Sequence, residues 1–190
     1  MRPQASSRTE RPAMPARVRK RLRYWRRIFS AYFGSKTSQL TFWHETPAVN
    51  YAAPIDEIGE YYMTFHDKAH YGGPFDDDGI PMLDYRGELG RQYNPIAIAQ
   101  YGLAAYNQFA QGAGDEWLDK TVTVADWLAG NLTPNPSGVP VWNHHFDWEY
   151  RDTLRAPWYS GLAQGQGISL LVRAHAATGR DAYAQAAERA

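Results

Sequence analysis

Apolar residues between positions 16 and 33 fall at Val18, Leu22, Trp25, Ile28, Phe29 and Tyr32, at spacings of four, three, three, one and three. That is one face of a 3.6-residue period with Arg and Lys around the rest, and it predicts a basic amphipathic helix over 16–33. Residues 1–15 show no period and read as a flexible basic tail. Short aromatic and β-branched runs occupy 50–66 and 79–86, with a stretch rich in Gly, Pro and Asp between them. They predict a strand, a turn-rich loop and a second short strand. From residue 92 the pattern turns helical. Asn94 before Pro95 pairs a favoured N-cap with proline at the first helical position. Residues 95–110 are apolar or small almost all round, the pattern of a helix buried on both sides. A second helix is predicted over 115–130, with Trp117, Leu118, Val122, Ala125 and Leu128 on one stripe. Residues 131–157, rich in Pro, Asn and aromatics, read as loops with one hairpin. A third helix is predicted from Ser160 to Thr178, stopping at Gly179, and a fourth from Asp181 onward.

These elements predict a mainly α fold: part of an α/α toroid built from helix pairs, preceded by a short β-hairpin region and a basic N-terminal helix. The divisions are a tail at 1–15, the basic helix at 16–36, strands and loops at 37–91, and helix pairs at 92–190. Two pairs do not close a toroid, and the pattern is still helical at Ala190, so the domain is expected to continue past that residue.

Composition narrows the chemistry. The 190 residues suit about one domain. With no cysteine, disulfides, thiolate catalysis and Cys-ligated zinc are excluded. The zero net charge hides a split: residues 1–36 hold eleven basic residues and one acid, and the rest hold nine basic and nineteen acidic. The basic helix is expected to dock its apolar face on the body, with its arginines solvated or paired with acids there. An anionic membrane surface is the other use of such a helix. No secretory signal or transmembrane run is evident, which leaves a cytoplasmic or peripheral-membrane location as the expectation. Nothing beyond the basic head suggests nucleic acid.

Two stretches are specific: Gln92-Tyr93-Asn94-Pro95-Ile96-Ala97-Ile98-Ala99-Gln100-Tyr101-Gly102-Leu103, and Trp158-Tyr159-Ser160-Gly161-Leu162-Ala163-Gln164-Gly165-Gln166-Gly167-Ile168-Ser169 continuing to Ala174. Both resemble the C-terminal domain of the D-glucuronyl C5-epimerases, over about residues 80–190. The resemblance implies a helical toroid and an isomerase that converts D-glucuronate to L-iduronate within a heparan- or heparosan-type polysaccharide. It implies no nicotinamide cofactor, and the chain has no Gly-rich dinucleotide fingerprint. The family's catalytic Glu and Tyr residues would lie after Ala190, so no catalytic residue is carried over. A non-catalytic glycan-binding half-toroid and a uronate polysaccharide lyase are the alternatives, and self-association would suit the former.

The implied chemistry removes a proton from C5, next to a carboxylate, and returns one from the opposite face. It needs donors or cations for the enolate-like species and two acid/base groups, a role tyrosines fill when their pKa is lowered. Gln92, Tyr93 and Asn94 stand at the mouth of the first buried helix, placed to meet sugar hydroxyls. Asn94 is first of all expected to cap that helix, and Tyr93 to be either cleft wall or core. Trp158 and Tyr159 are placed to stack on sugar rings or to plug the core. Gln164 and Gln166 lie about 200° apart on a helix, so one is expected to touch sugar and the other a neighbouring element. Gly165 and Gly167 suggest close packing or close ligand approach. Arg151 and Arg155 are the favoured contacts to carboxylate or sulfate among Arg86, Arg91, Arg151, Arg155 and Arg173, with Arg173 expected in a structural role. Strand alternation would put His145, Asp147 and Glu149 on one face, although a polar rim or surface hairpin is the expected reading of that run. Asp76, Asp77 and Asp78 suit Ca2+ in their ligand type but lack a binding-loop spacing.

Overall fold

The computed structural model describes residues 14–33, 39–44, 46–85, 87–149 and 152–190. Helices α1 (Ala16–Phe33) and α2 (Gln39–His44) come first, then the single-turn α3 (His66–Ala69). An antiparallel ribbon joins β1 (Met82–Asp84) to β2 (Arg91–Tyr93), with Leu83 opposite Gln92. Helices α4 (Pro95–Ala110) and α5 (Glu116–Gly130) form a hairpin. Two-residue strands follow: β3 (Thr133–Pro134), β4 (Pro140–Val141), β5 (Asn143–His144), β6 (Trp148–Glu149), β7 (Thr153–Leu154) and β8 (Trp158–Tyr159). They pair antiparallel as β3 with β4, β5 with β8, and β6 with β7. A second hairpin of α6 (Gly161–Thr178) and α7 (Asp181–Arg189) follows them. The architecture is mainly α.

The four helices expected after residue 92 form within one residue of their predicted bounds, for local reasons. Asn94 Oδ1 accepts from the amides of Ile96 and Ala97, at 3.0 and 3.3 Å. Ser160 Oγ accepts from the amide of Leu162. Gly179 ends α6 at φ 69°, its amide donating to the His175 carbonyl. Helix α4 is the centre of the core and packs on α3, α5 and α6. Its Gly102 lets those helices close: a Cβ there would stand 2.3 Å from Leu170 Cδ2 of α6 and 2.9 Å from Val124 Cγ1 of α5. Helix α7 is tied to α5 through Asp126, whose Oδ1 accepts from the Tyr183 hydroxyl at 2.7 Å and from Arg180 at 2.8 Å.

The strand expected within 50–66 does not form. Its one ladder contact is an isolated bridge from Val49 to Met63. The cause is a side chain standing where a strand partner would. Fully buried Asn107 of α4 accepts from the Tyr61 amide at 2.7 Å and donates to the carbonyls of Met63 and Thr64, at 3.0 and 3.2 Å. Arg173 of α6 donates to the carbonyls of Gly59 and Glu60. Of the apolar face of α1 expected to dock on the body, Val18, Leu22, Trp25 and Phe29 are exposed instead, the side chains of Ile28 and Tyr32 lie outside the described residues, and α1 packs chiefly on α2. Among the described residues no helix is long and apolar enough to cross a membrane.

Candidate functional site

A cavity of about 220 Å³ opens where α2, the start of α4 and the 146–162 segment meet. Its aromatic lining is Trp43, Tyr85, Phe146, Trp148 and Trp158. Tyr85 stands 4.9 Å from the Phe146 ring and 5.2 Å from the Trp148 ring, centroid to centroid, in edge-on or tilted contacts that hold the wall as one unit. Trp158 is fixed from behind. Its ring stacks on His144 at 3.7 Å, and its Nε1 donates to the Phe146 carbonyl at 2.8 Å.

The polar lining comes from α4. Asn94 both caps the helix and lines the cavity, and its Nδ2 donates to the Tyr85 hydroxyl at 2.7 Å, orienting that ring. Gln100 sits one and a half turns further on. Its Oε1 accepts from Lys68 Nζ at 2.6 Å, and its Nε2 donates to Gln166 Oε1 at 3.2 Å. Lys68, Gln100 and Gln166 are all buried; Gln100 lines the cavity, and Lys68 and Gln166 are its hydrogen-bond partners. Lys68 reaches this position because Phe65 enters α3 in the left-handed region, φ 46°, turning the short helix inward. The Lys68 ammonium stands 4.6 Å from the Phe65 ring centre and 5.8 Å from that of Trp43. The Trp43 Nε1, also buried, has no hydrogen-bond partner among the described residues.

His144 is fully buried. Its Nδ1 lies 3.3 Å from the Trp158 carbonyl, so that nitrogen carries the proton and Nε2 is left as a buried acceptor with no partner among the described residues. Burial holds its pKa down to about 4, against the opposing effect of the Trp158 hydrogen bond. An unfolded histidine titrates near pH 6.5, so the unfolded chain takes up this proton first. The stability the neutral ring contributes is whole above about pH 6.5 and is lost as pH falls toward 4, on the order of 3 kcal/mol. Urea unfolding at pH 7 and at pH 4.5 is expected to show that loss. His144→Phe, which keeps a ring against Trp158, is expected to lose markedly less between the two pH values.

Tyr61, Tyr93, Tyr101, Tyr106 and Tyr183 all shift upward. Burial is the first cause of the raised pKa values of Tyr61, Tyr101, Tyr106 and Tyr183. Tyr93 is pushed up to about 12, chiefly because its hydroxyl donates to Asp76. At neutral pH these phenols are hydrogen-bond donors, not bases.

The residues singled out from the sequence divide. Asn94 and Trp158 line the cavity. Gln92 donates to the Leu89 carbonyl at 2.6 Å and holds the β1–β2 turn. Tyr93 is neither cleft wall nor core; it is exposed, its hydroxyl donating to Asp76 Oδ2 at 2.6 Å. Tyr159 is exposed. Neither glutamine of α6 lines the cavity. Gln166 bonds Gln100, and Gln164 accepts from the Trp142 amide at 2.9 Å and donates to the Ala190 carbonyl at 3.1 Å. Both side chains have partners within the chain. A Cβ on Gly167 would meet Trp142 at 2.5 Å, whereas one on Gly165 would meet open space. Arg155 bonds Asp147 at the surface, and the hydrogen bond from the Ala156 amide followed by that arginine keeps the carboxyl's pKa below its usual range. Arg173 holds the 59–60 loop, and Arg86 and Arg151 lie outside the described residues. The His145–Asp147–Glu149 face does not exist as a strand face, because the chain bends at Phe146 between β5 and β6. Asp76 uses Oδ1 to accept from the amides of Asp78 and Ile80 and Oδ2 to accept from Tyr93. Among the described residues no three His, Asp or Glu side chains come together as a metal site would require.

Sequence reasoning missed Trp43, Lys68 and Gln100 as parts of one site. Gln100 lies inside a stretch already singled out, and a glutamine in an otherwise apolar buried helix is the signal that would have found it. Lys68 has no such signal, since a lysine in a polar turn reads as solvated.

Residues 137–190 match the family model described as D-glucuronyl C5-epimerase C-terminus. The match takes in the strands from β4 onward, α6 and α7, and so includes Phe146, Trp148 and Trp158 of the cavity; α4 lies before it. No curated protein and no solved structure gives a significant match.

Proposed function

We propose, from the premise that residues 137–190 belong to the D-glucuronyl C5-epimerase C-terminal family, that this chain binds a uronate-containing polysaccharide as part of a C5-epimerase. The helix pairs α4–α5 and α6–α7 would be units of its toroid. The observation that carries the reading is the aromatic cavity over the Lys68–Gln100–Gln166 line. Aromatic faces stack on the C–H face of a pyranose, and the side-chain amides of Asn94 and Gln100, which line the cavity, meet its hydroxyls. The volume is small beside the roughly 300–1,000 Å³ of drug-sized sites, and so suits a single sugar ring.

In the proposed reaction a base takes the C5 proton, the electron pair delocalises into the adjacent carboxylate, and an acid returns a proton to the other face of C5. The polymer's composition is unchanged, since the hydrogen lost from C5 is replaced by one from the acid. This chain's part is binding and electrostatic support: Trp148 and Trp158 hold the ring, and Lys68, through Gln100, adds positive potential beneath the carboxylate.

Titrating the chain with heparosan while following tryptophan emission is expected to show saturable binding. Trp148→Ala, which removes one stacking face, is expected to weaken it about tenfold. Heavy-water incubation with the full-length protein as its source makes it, rather than with residues 1–190 alone, then separates the readings. Deuterium at C5 of the glucuronosyl units supports the epimerase, and binding without deuterium replaces it with a non-catalytic glycan-binding module. A new ultraviolet-absorbing double bond replaces it with a lyase. Absence of binding overturns the site.

A further inference from the structure

We propose that α1 lies along the surface of an anionic lipid bilayer, an inference independent of the glycan reading. Val18, Leu22 and Trp25 recur at spacings of four and three residues, which places them on one stripe of the helix. They are 45 %, 53 % and 50 % exposed, and Phe29, four residues further on, is 62 % exposed. At 100° per residue, Arg17 and Arg21 flank one side of that stripe and Arg19 and Arg26 the other; all four are exposed. The helix carries seven Lys and Arg and no acid.

The occupant follows from both halves of this pattern. A soluble polyanion would pair with the arginines and leave these four apolar side chains in water. The acidic body of this chain could have covered the stripe, yet the fold leaves it exposed. A bilayer containing acidic lipids meets both needs, since the apolar stripe enters the boundary of headgroups and acyl chains while the flanking guanidinium groups bond phosphates. Eighteen residues at about 1.5 Å each give a helix about 27 Å long that lies in the interface.

The test uses the full chain and sedimentation with vesicles of phosphatidylcholine, with and without phosphatidylserine. The expected result is binding that requires phosphatidylserine and weakens between about 0.1 M and 1 M salt. The double variant Leu22→Gln/Trp25→Gln keeps every charge and is expected to partition at least about tenfold less. Its unfolding transition should match that of the parent, because the stripe lies outside the core. Arg19→Gln/Arg26→Gln should lose the preference for phosphatidylserine. The proposal is overturned by absence of binding, or by equal binding to both vesicles. It is equally overturned if Leu22→Gln/Trp25→Gln binds as the parent does while soluble heparosan or an oligonucleotide displaces the chain, which would make α1 a polyanion contact.

Discussion

Trp142→Ala is expected to remove about 3–5 kcal/mol of folding stability, read from urea unfolding. That is a large share of the roughly 5–15 kcal/mol that keeps a domain folded. Trp142 has no exposed surface and joins α5 to α6. Its Nε1 donates to the Leu128 carbonyl at the end of α5, its amide donates to Gln164 of α6, and its ring lies against Gly167. The last contact makes the prediction sharper. Gly167→Ala alone puts a Cβ 2.5 Å from the indole, which is buried and held at its nitrogen and cannot swing away. Its expected cost is about 1–3 kcal/mol. In the Trp142→Ala background the obstruction is gone, and the same change is expected to be neutral or to gain up to about 1 kcal/mol from helix propensity. A double-mutant cycle measures the difference. Additive costs would show that the indole does not set the packing of α6.

Asn107→Ala is expected to cost about 3 kcal/mol, because the Tyr61 amide and the Met63 and Thr64 carbonyls lose their bonds inside the fold. Hydrogen exchange at Tyr61 should accelerate with it, since that amide's one acceptor is removed. Asn107→Asp separates the two arms of the amide. It keeps an acceptor for Tyr61 but turns the donor into a carboxylate oxygen facing two carbonyls, so it should be no better tolerated than alanine. If aspartate proves nearly neutral, the two carbonyls draw no stability from Asn107.

The helical half was legible because its signals are local. Asn94-Pro95, Ser160 and Gly179 act on backbone groups two to four residues away, and each does in the fold what its residue type implies. The near-complete burial of α4 was legible for the same kind of reason, since a run without a polar face leaves no side for water. The 50–66 segment misled because strand propensity records suitability for a partner without naming one. Its partners turned out to be Asn107 and Arg173, 43 residues and more away, which satisfy the same backbone groups with side chains. The 143–149 run misled in a related way. Alternation assumes an unbroken strand, and the bend at Phe146 sends His144 into the core while leaving His145 exposed.

The candidate site was half legible. Asn94 and Trp158 were reached from motif and residue type, and both line the cavity. Gln164 and Gln166 were rightly placed on different faces of one helix, but a helical wheel cannot say what stands opposite each face. Gln166 meets Gln100, 66 residues earlier, and Gln164 meets the amide of Trp142. The sequence by itself determined the helices after residue 92, their caps, the charge split and the match of residues 137–190 to the model described as D-glucuronyl C5-epimerase C-terminus. The tertiary structure alone decided that α1 keeps its apolar stripe exposed, that Lys68 turns inward to Gln100, and that aromatics from three parts of the chain close on one cavity. The physical reason is range: caps and periodicity act within a turn or two, whereas burial of a cation and assembly of an aromatic wall depend on which distant surfaces the packed helices bring together.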